Sequence, residues 1–428
     1  MSRSLAEWLE FIGRQHPDAI ALGLDRVREV LGRMDVRIAC PVVTVAGTNG
    51  KGSVCAFLEA VLHASGRRVG LYTSPHLLRY NERVRISMQE VSDALLVEGF
   101  SAVERARGAV PLTYFEYGTL GAFWLFAREA PDVLVLEVGL GGRLDAVNVL
   151  DADCAVLTNV GLDHMAYLGH TREAIGQEKA GIFRAGRPAV IAEADPPASV
   201  LAAAERVGAS LLRLGRDFGY RVHPGQWDYW GPGTRRPALA YPALRGQRQL
   251  HNAAGALAAL DTLRERLPVS MQDVRRGLAE VVLPGRFQVL PGRPQLILDV
   301  AHNPAAANAL AENLGAAGYA EETIAVFGML RDKDIAGVAQ ALALRVTRWH
   351  LCTLGGPRGT DAEALAQILS AAGVRAPVFK HASVAEALGA ARGAAGENDK
   401  IVAFGSFLTV AEVMQSLAAT RTGAGTHG

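Results

Sequence analysis

The stretch PVVTVAGTNGKGSV, residues 41–54, constrains the fold more than any other. PVVTVAG reads as a buried strand that runs into a glycine-rich turn. Val54, Phe57, Leu58, Val61 and Leu62 then mark one face of a helix, with Gly66 placed to end it. The rhythm repeats. RVGLYTSPH, DVLVLEVG (132–139), CAVLTNVG (154–161) and PAVIAEA (188–194) read as further strands, and TREAIGQEKAGIF (171–183) as a helix with Thr171 as N-cap. Such alternation predicts an α/β protein, with helices packed on a mostly parallel sheet.

A chain of 428 residues is too long for one ordinary core, so two domains are expected. Around 218–250 the helical period disappears into an aromatic, proline- and glycine-rich stretch that predicts a small antiparallel meander. HNAAGALAALDTLRERL returns to helix. LPGRFQVLPGRPQ (283–295) marks the domain boundary, which gives an N-terminal nucleotide-binding domain at 1–288, a linker at about 289–295 and a smaller Rossmann-like domain at 296–428. In the second domain QLILDVAHN, TIAVFGML, RWHLCTL, PVFKH and KIVAFGS are the expected strands, and the tail TRTGAGTHG is expected to fray. Hydrophobic residues make up 50% and charged residues 20%, which suits a soluble protein with a large core, and a net charge of +1 without long charge runs argues against a nucleic-acid or membrane-surface partner. The N-terminus places Leu5, Trp8, Leu9 and Ile12 at helical spacing and is not a signal peptide. With no apolar run long enough to cross a bilayer, a cytoplasmic location is expected. Cys40, Cys55, Cys154 and Cys352 are far apart, as reduced thiols rather than a disulfide frame or zinc site.

The turn in GTNGKGS suits phosphate binding, since backbone N–H groups and a helix N-terminus face the anion and Lys51 adds charge. Gly47, Thr48, Asn49, Gly50, Lys51, Gly52 and Ser53 form this candidate loop. It departs from the G-x-x-x-x-G-K-[ST] pattern, with Val45 at the first glycine and Gly52 where a hydroxyl would reach Mg²⁺. A tight strand–helix turn without a ligand is the plain alternative. Glu137 ends an apolar strand, where a carboxylate can hold Mg²⁺ against phosphates or simply face solvent. His164 follows the next strand and can share its rim or be a structural loop histidine. Lys179, late in a helix, reads by itself as a solvated charge. In DVAHNP, Asn303 and Pro304 are explained by helix capping, whereas Asp299 and His302 are not.

Taken together, GTNGKGS, YTSPHL, ERVRI, LTYFEYGTL, EVGLGGRLDA, LDH, EKAGIF, LPGRFQ, DVAHNP, GMLRDKD and GSFLTVAEVM resemble, in order and nearly end to end, the folylpolyglutamate synthase/dihydrofolate synthase family of the Mur-ligase superfamily. The resemblance implies an ATP-dependent amide ligase with two domains and a cleft that closes between them. A carboxylate would be activated as an acyl phosphate and then attacked by the amine of L-glutamate. It also implies that Ser74, with Glu137, replaces the missing hydroxyl at a first Mg²⁺. His164 matches a ligand of a second Mg²⁺, and Lys179 a carbamylated lysine that becomes an anion. Asn252, Arg286 and Asp299 match ATP contacts, with His302 beside them. A pterin would lie against Ile20, Ala21, Leu22 and Gly23, against Thr113, Tyr114, Phe115 and Glu116, and against Leu144, Asp145 and Ala146. Phe115 would stack on the ring and Asp145 would accept its N–H groups, while Thr113, Tyr114 and Phe115 have core packing as their plain alternative. The chain departs from the family's bifunctional members at Ala21, where they carry an acid, and at Leu408, where they carry a histidine.

The implied substrates are dihydropteroate, folates, L-glutamate and ATP, and a monomer is expected. Polyglutamylation alone is the competing enzyme reading. A Mur ligase acting on a UDP-sugar would need a uridine-binding domain, for which the roughly forty residues before the loop are too few. A GTPase-like switch would need an NKxD motif, and TNVGLDH offers only Asn159 and Asp163 without a lysine between them.

Overall fold

A computed structural model describes residues 3–18 and 20–424, and the last four residues of the tail expected to fray lie outside them. The chain forms two compact units, Met1–Ala243 with Gln249–Val281, and Leu244–Arg248 with Val282–Gly428.

The first unit is built on an eight-stranded sheet of β1 (Val42–Ala46), β2 (Val69–Tyr72), β3 (Val84–Ile86), β4 (Gln89–Glu90), β5 (Val133–Glu137), β6 (Cys154–Leu157), β7 (Pro188–Ile191) and β8 (Ser210–Arg213), in the order β4-β3-β2-β5-β1-β6-β7-β8. The six strands from β2 to β8 in that order are parallel, and β3 and β4 form an antiparallel edge. Every residue of β1 and β5 is buried, because helices cover both faces and leave no solvent side for polar residues. One face packs Trp8, Phe100, Tyr117 and Phe123, and the other Leu157, Ile175, Ile182 and Val200. The helix Leu5–Ile12 starts with a capping box, Ser4 accepting from the Glu7 amide and Glu7 from the Ser4 amide, and it delivers Trp8 to the first of these layers. The expected meander is present as β9 (Gly219–His223), β10 (Gln226–Gly231) and β11 (Thr234–Ala240). It is tied to the helix Gln247–Thr262 by a buried pair, Arg236 to Asp261 at 2.6 Å, with the Tyr229 hydroxyl donating to the same carboxylate at 2.7 Å.

The second unit holds β12 (Gln288–Leu290), β13 (Gln295–Leu298), β14 (Thr323–Phe327), β15 (Arg348–Cys352), β16 (Val378–His381) and β17 (Lys400–Phe404), in the order β12-β13-β17-β14-β15-β16. Only β12 is antiparallel. Phe327, Trp349 and Phe404 centre its core, with ring centroids 5.0 to 6.0 Å apart. The break between units falls after Val281, earlier than the linker expected at 289–295. The prolines and glycine of 291–294 turn a hairpin between β12 and β13, so turn chemistry there reports a sheet edge and not a spacer.

Strand order in the first sheet reverses at β1, whose neighbours are β5 and β6 while the chain continues to β2. Ligands gather at such switch points, beyond the carboxyl ends of the strands. Glu137 ends β5, and Ser74, the 47–50 loop and His164 follow strands on that same edge.

Candidate active site

The loop after β1 is held from below by the segment after β6. The Thr48 amide donates to the Asn159 carbonyl at 2.9 Å and the Asn49 amide to the Asn159 side chain at 3.1 Å. The Thr158 hydroxyl and the Asn159 amide nitrogen both donate to the Asn49 carbonyl, at 2.6 and 2.7 Å. Val54 makes the first bond of the helix Lys51–Ala64, to Gly50, so the amides of Lys51, Gly52 and Ser53 occupy the first turn and have no intrahelical acceptor. Three amides are thus left as donors at the place where the sequence expects an anion. Gly50 has φ +83°, and a Cβ there would lie 2.5 Å from Oδ1 of Asn252, so the close fit of this ATP-contact candidate requires glycine. The Ser53 side chain is buried at 2% exposure, which leaves its backbone as the useful part.

Two lysines meet under the loop. Lys51 reaches back to the carbonyls of Gly47 and Thr48, at 3.1 and 3.3 Å, and Lys179 donates to the same Gly47 carbonyl at 3.0 Å. Lys179 ends the helix Arg172–Lys179, capped by Thr171 as expected, but it is 4% exposed, so the solvated-charge reading is overturned. Burial, and then the Lys51 charge, push its amine down to about 7 against the opposing pull of Asp163 and Asp145. Near neutrality a large share of this amine is uncharged, the form able to add CO₂.

Across the edge, Glu137 is buried and accepts from the Ser74 amide at 3.1 Å, which sets a carboxylate oxygen beside the Ser74 residue. His164 adopts φ +52° before the short helix Met165–Leu168, with Nε2 4.0 Å from Asp163. Among the described residues no three His, Cys, Asp or Glu side chains converge into a metal cage. The donors here instead suit Mg²⁺, which takes one or two protein oxygens and completes its shell from phosphates and water. As a carbamate, Lys179 would offer a second ion the anionic oxygens that Mg²⁺ prefers, which neither its ammonium nor its neutral amine provides.

The three expected pterin segments come together. The Gly23 amide donates to the Leu144 carbonyl at 3.3 Å, and Arg26 joins the Ala21 carbonyl, at 2.8 Å, to the Glu116 carboxylate, also at 2.8 Å. Thr113 and Glu116 form the capping box of the helix Tyr114–Glu129, so both carry a structural duty beyond any ligand contact. Phe115 is half-buried, and its ring lies where a Cβ on Gly139 would sit at 2.7 Å, so glycine lets the ring settle against the end of β5. The Asp145 oxygens accept from the amides of Leu140 and Val147, at 2.8 and 3.0 Å, and burial raises this carboxyl to about 6. Tyr114 packs edge-on against Tyr80. Ile20 and Leu22 line the segment, Ile20 exposed and Leu22 half-buried, and Ala146 is buried.

In the second unit Arg286, Asp299 and His302 cluster at the end of β13. Asp299 accepts from the amides of Phe287 and Ala301 at 2.8 Å each, and its carboxyl is raised by burial against the pull of Arg286. Arg286 and His302 both lie against the Phe407 ring, at 5.1 and 6.1 Å. Asn303 and Pro304 cap the helix Pro304–Ala316, as expected. Leu408 is 45% exposed. The sequence reading missed Arg26, Thr158 and Asn159. Arg26 had a legible signal, since it stands one and four residues before the buried Val27 and Val30 and so flanks the inner face of its helix.

Comparison with known proteins matches residues 45–223 to the Mur ligase middle domain and 285–407 to the Mur ligase glutamate ligase domain. The chain is similar to the Escherichia coli dihydrofolate synthase/folylpolyglutamate synthase, 45% identical with 98% of this chain and 97% of that protein covered, and to its Haemophilus influenzae counterpart, 41% identical over 95% and 96%. An E. coli structure in complex with DHPP and ADP superposes with a TM-score of 0.93 at 45% identity, covering 98% of this chain and 99% of that one. Mycobacterium tuberculosis folylpolyglutamate synthase with ADP gives 0.86 at 30% identity, covering 96% and 97%. With two Mur ligase domains, a glycine-rich loop braced by Asn159 and a relative of nearly equal length at this identity, the chain belongs to the dihydrofolate synthase/folylpolyglutamate synthase family of Mur-type ligases.

Proposed function

We propose that this protein joins L-glutamate to 7,8-dihydropteroate and adds further glutamates to folates, converting ATP to ADP and phosphate through an acyl phosphate. The observation that carries this reading is the joining of an aromatic platform to the phosphate edge. Phe115 rests on Gly139, two residues past Glu137, and Glu137 holds the Ser74 amide. A flat substrate on Phe115 would extend its carboxylate toward the nucleotide. Complexes of relatives with DHPP and ADP, and with Mn, AMPPNP and L-glutamate, support both substrates and a divalent metal.

The free amides of the first helical turn and Lys51 bind the phosphates of ATP, helped by Asn252 beside Gly50. Arg286, Asp299 and His302 are the nucleotide contacts of the second unit. Ser74 and Glu137 would hold one Mg²⁺, and His164 with carbamylated Lys179 a second. When bound, the ions neutralise the charge that shifts as the γ-phosphoryl group passes to the carboxylate. Ile20–Gly23, Thr113–Glu116 and Leu144–Ala146 enclose the pterin, with Asp145 accepting from its ring N–H groups. Arg26 keeps two of those walls together through Ala21 and Glu116. Among the described residues no helix is long and apolar enough to cross a membrane. A cytoplasmic monomer without nucleic-acid or membrane partners is the proposed setting, on the balanced charge and unclustered surface.

The test is ADP release by the purified protein with Mg-ATP and L-glutamate, comparing dihydropteroate with tetrahydrofolate. Glutamate-dependent release with both is expected. Release with tetrahydrofolate alone would reduce the enzyme to a polyglutamylase, and release with neither would refute the pterin site.

A further inference from the structure

Arg83 takes no part in the machinery described so far, yet it is only 9% exposed. It closes the short 3₁₀ turn Tyr80–Arg83, and its carbonyl accepts from the Thr73 amide at 2.9 Å, next to Ser74. Its Nε donates to Nδ1 of His76 at 2.8 Å. Its guanidinium carbon lies over the rings of Tyr80 and Tyr114, at 5.2 and 5.7 Å.

A buried guanidinium ordinarily finds a carboxylate. Among the described residues Arg83 has none, and neither of its terminal nitrogens donates a hydrogen bond. Glu82, its neighbour in sequence, and Asp145, which shares the surroundings of Tyr72, are engaged elsewhere. Glu82 accepts from the amides of Leu77, Leu78 and Arg79 at 2.7 Å each, and Asp145 from those of Leu140 and Val147. His76 brings no negative charge. Its Nδ1 accepts from the Arg83 Nε, so the ring serves only as the acceptor that orients the fork. What remains is the Nη1/Nη2 edge of a planar cation, steadied on aromatic faces, which matches a carboxylate with two parallel hydrogen bonds.

The location narrows the source of that carboxylate. Tyr114 precedes the Phe115 platform, Tyr72 packs on Phe115 with centroids 6.0 Å apart, and the charges of both Arg83 and Asp145 reach the Tyr72 hydroxyl. We propose that Arg83, oriented by His76, binds the carboxylate of the pterin-bearing substrate, the benzoate group of dihydropteroate. This rests on the reading of Phe115 and its neighbours as the pterin site. It supplies the counter-charge for a substrate whose ring end is neutral and whose other end is an anion.

The test compares binding of dihydropteroate with that of its neutral carboxamide, for the parent protein and for Arg83→Gln and Arg83→Lys, all full length and checked for folding by thermal melting. Arg83→Gln should weaken dihydropteroate binding about thirtyfold, and carboxamide binding less than about threefold, the size of a lost charged hydrogen-bond pair. Arg83→Lys keeps the charge without the fork, so its loss should be smaller and again confined to the carboxylate. It carries the test if the glutamine variant does not fold. The KM for L-glutamate should not move in either. Equal losses for acid and amide would mean a packing role and overturn the proposal, as would a rise in the KM for L-glutamate alone. If the parent protein shows no glutamate-dependent ADP release with dihydropteroate, the pterin reading falls as well. Normal parent turnover with equal losses defeats Arg83 only.

Discussion

Lys179→Met should make this protein more stable near neutral pH while abolishing its turnover. The lysine amine is 4% exposed, shares the Gly47 carbonyl with Lys51 and is pushed from its ordinary 10.5 to about 7. A lysine whose folded value lies below its unfolded value opposes folding for as long as the folded state has to hold the proton. Below about pH 7 both states hold the proton and the penalty is complete. From about pH 7 to 10 the folded state sheds it while the unfolded chain keeps it, and stability rises with pH. Methionine carries no such term. Integrating the difference in bound protons from pH 7 to pH 9, the advantage of Lys179→Met over the parent should shrink by about 2 kcal/mol. The assay is urea unfolding of both full-length proteins at the two pH values, followed by tryptophan fluorescence, in CO₂-free buffer with a chelator. A constant gap would mean that Lys179 stays charged in the folded protein. The amine would then be unsuited to carbamylation, and the second metal position would lose its anionic ligand.

Other parts of the site give sharper local outcomes. Gly50→Ala adds a methyl group 2.5 Å from Asn252 at φ +83°, and should cost about 1–3 kcal/mol of stability and raise the Kd for ADP, read by calorimetry. Glu137→Gln removes the charge that Ser74 frames, so ADP release should fall about a hundredfold and need more Mg²⁺ to saturate; an unchanged Mg²⁺ dependence would remove Glu137 from the metal. Arg26→Met leaves Glu116 buried without its partner and should destabilise the protein by about 2 kcal/mol while raising the KM for dihydropteroate, in thermal melts and steady-state rates.

The parallel sheet was legible because its central strands are buried on both faces and therefore appear as unbroken apolar runs, as in VVTVA and VLVLE. The strand–turn–helix frame at Gly50 and Lys51 was legible, since that context is local. Two kinds of feature were not. The boundary was placed later than the break between units because the prolines and glycine at 291–294 make the same signal in a hairpin as in a linker. The state of Lys179 could not be read from its helix, because its burial is created by the Gly47 loop, which lies more than a hundred residues earlier in the chain. Arg26 and Arg83 share that difficulty. Arg26 takes its meaning from Glu116, ninety residues away in sequence, and Arg83 from the lack of any carboxylate folded against it among the described residues.

The most direct measurement follows the oxygen atoms of the reaction. Dihydropteroate labelled with heavy oxygen in its carboxylate is incubated with the protein, Mg-ATP and L-glutamate, and the products are analysed by mass spectrometry. An acyl-phosphate ligase must yield a pterin product one glutamyl residue heavier and transfer one labelled oxygen to the released phosphate. A glutamylated product with unlabelled phosphate would contradict carboxylate activation by phosphorylation, and labelled dihydropteroate recovered unchanged would contradict the assignment of the site.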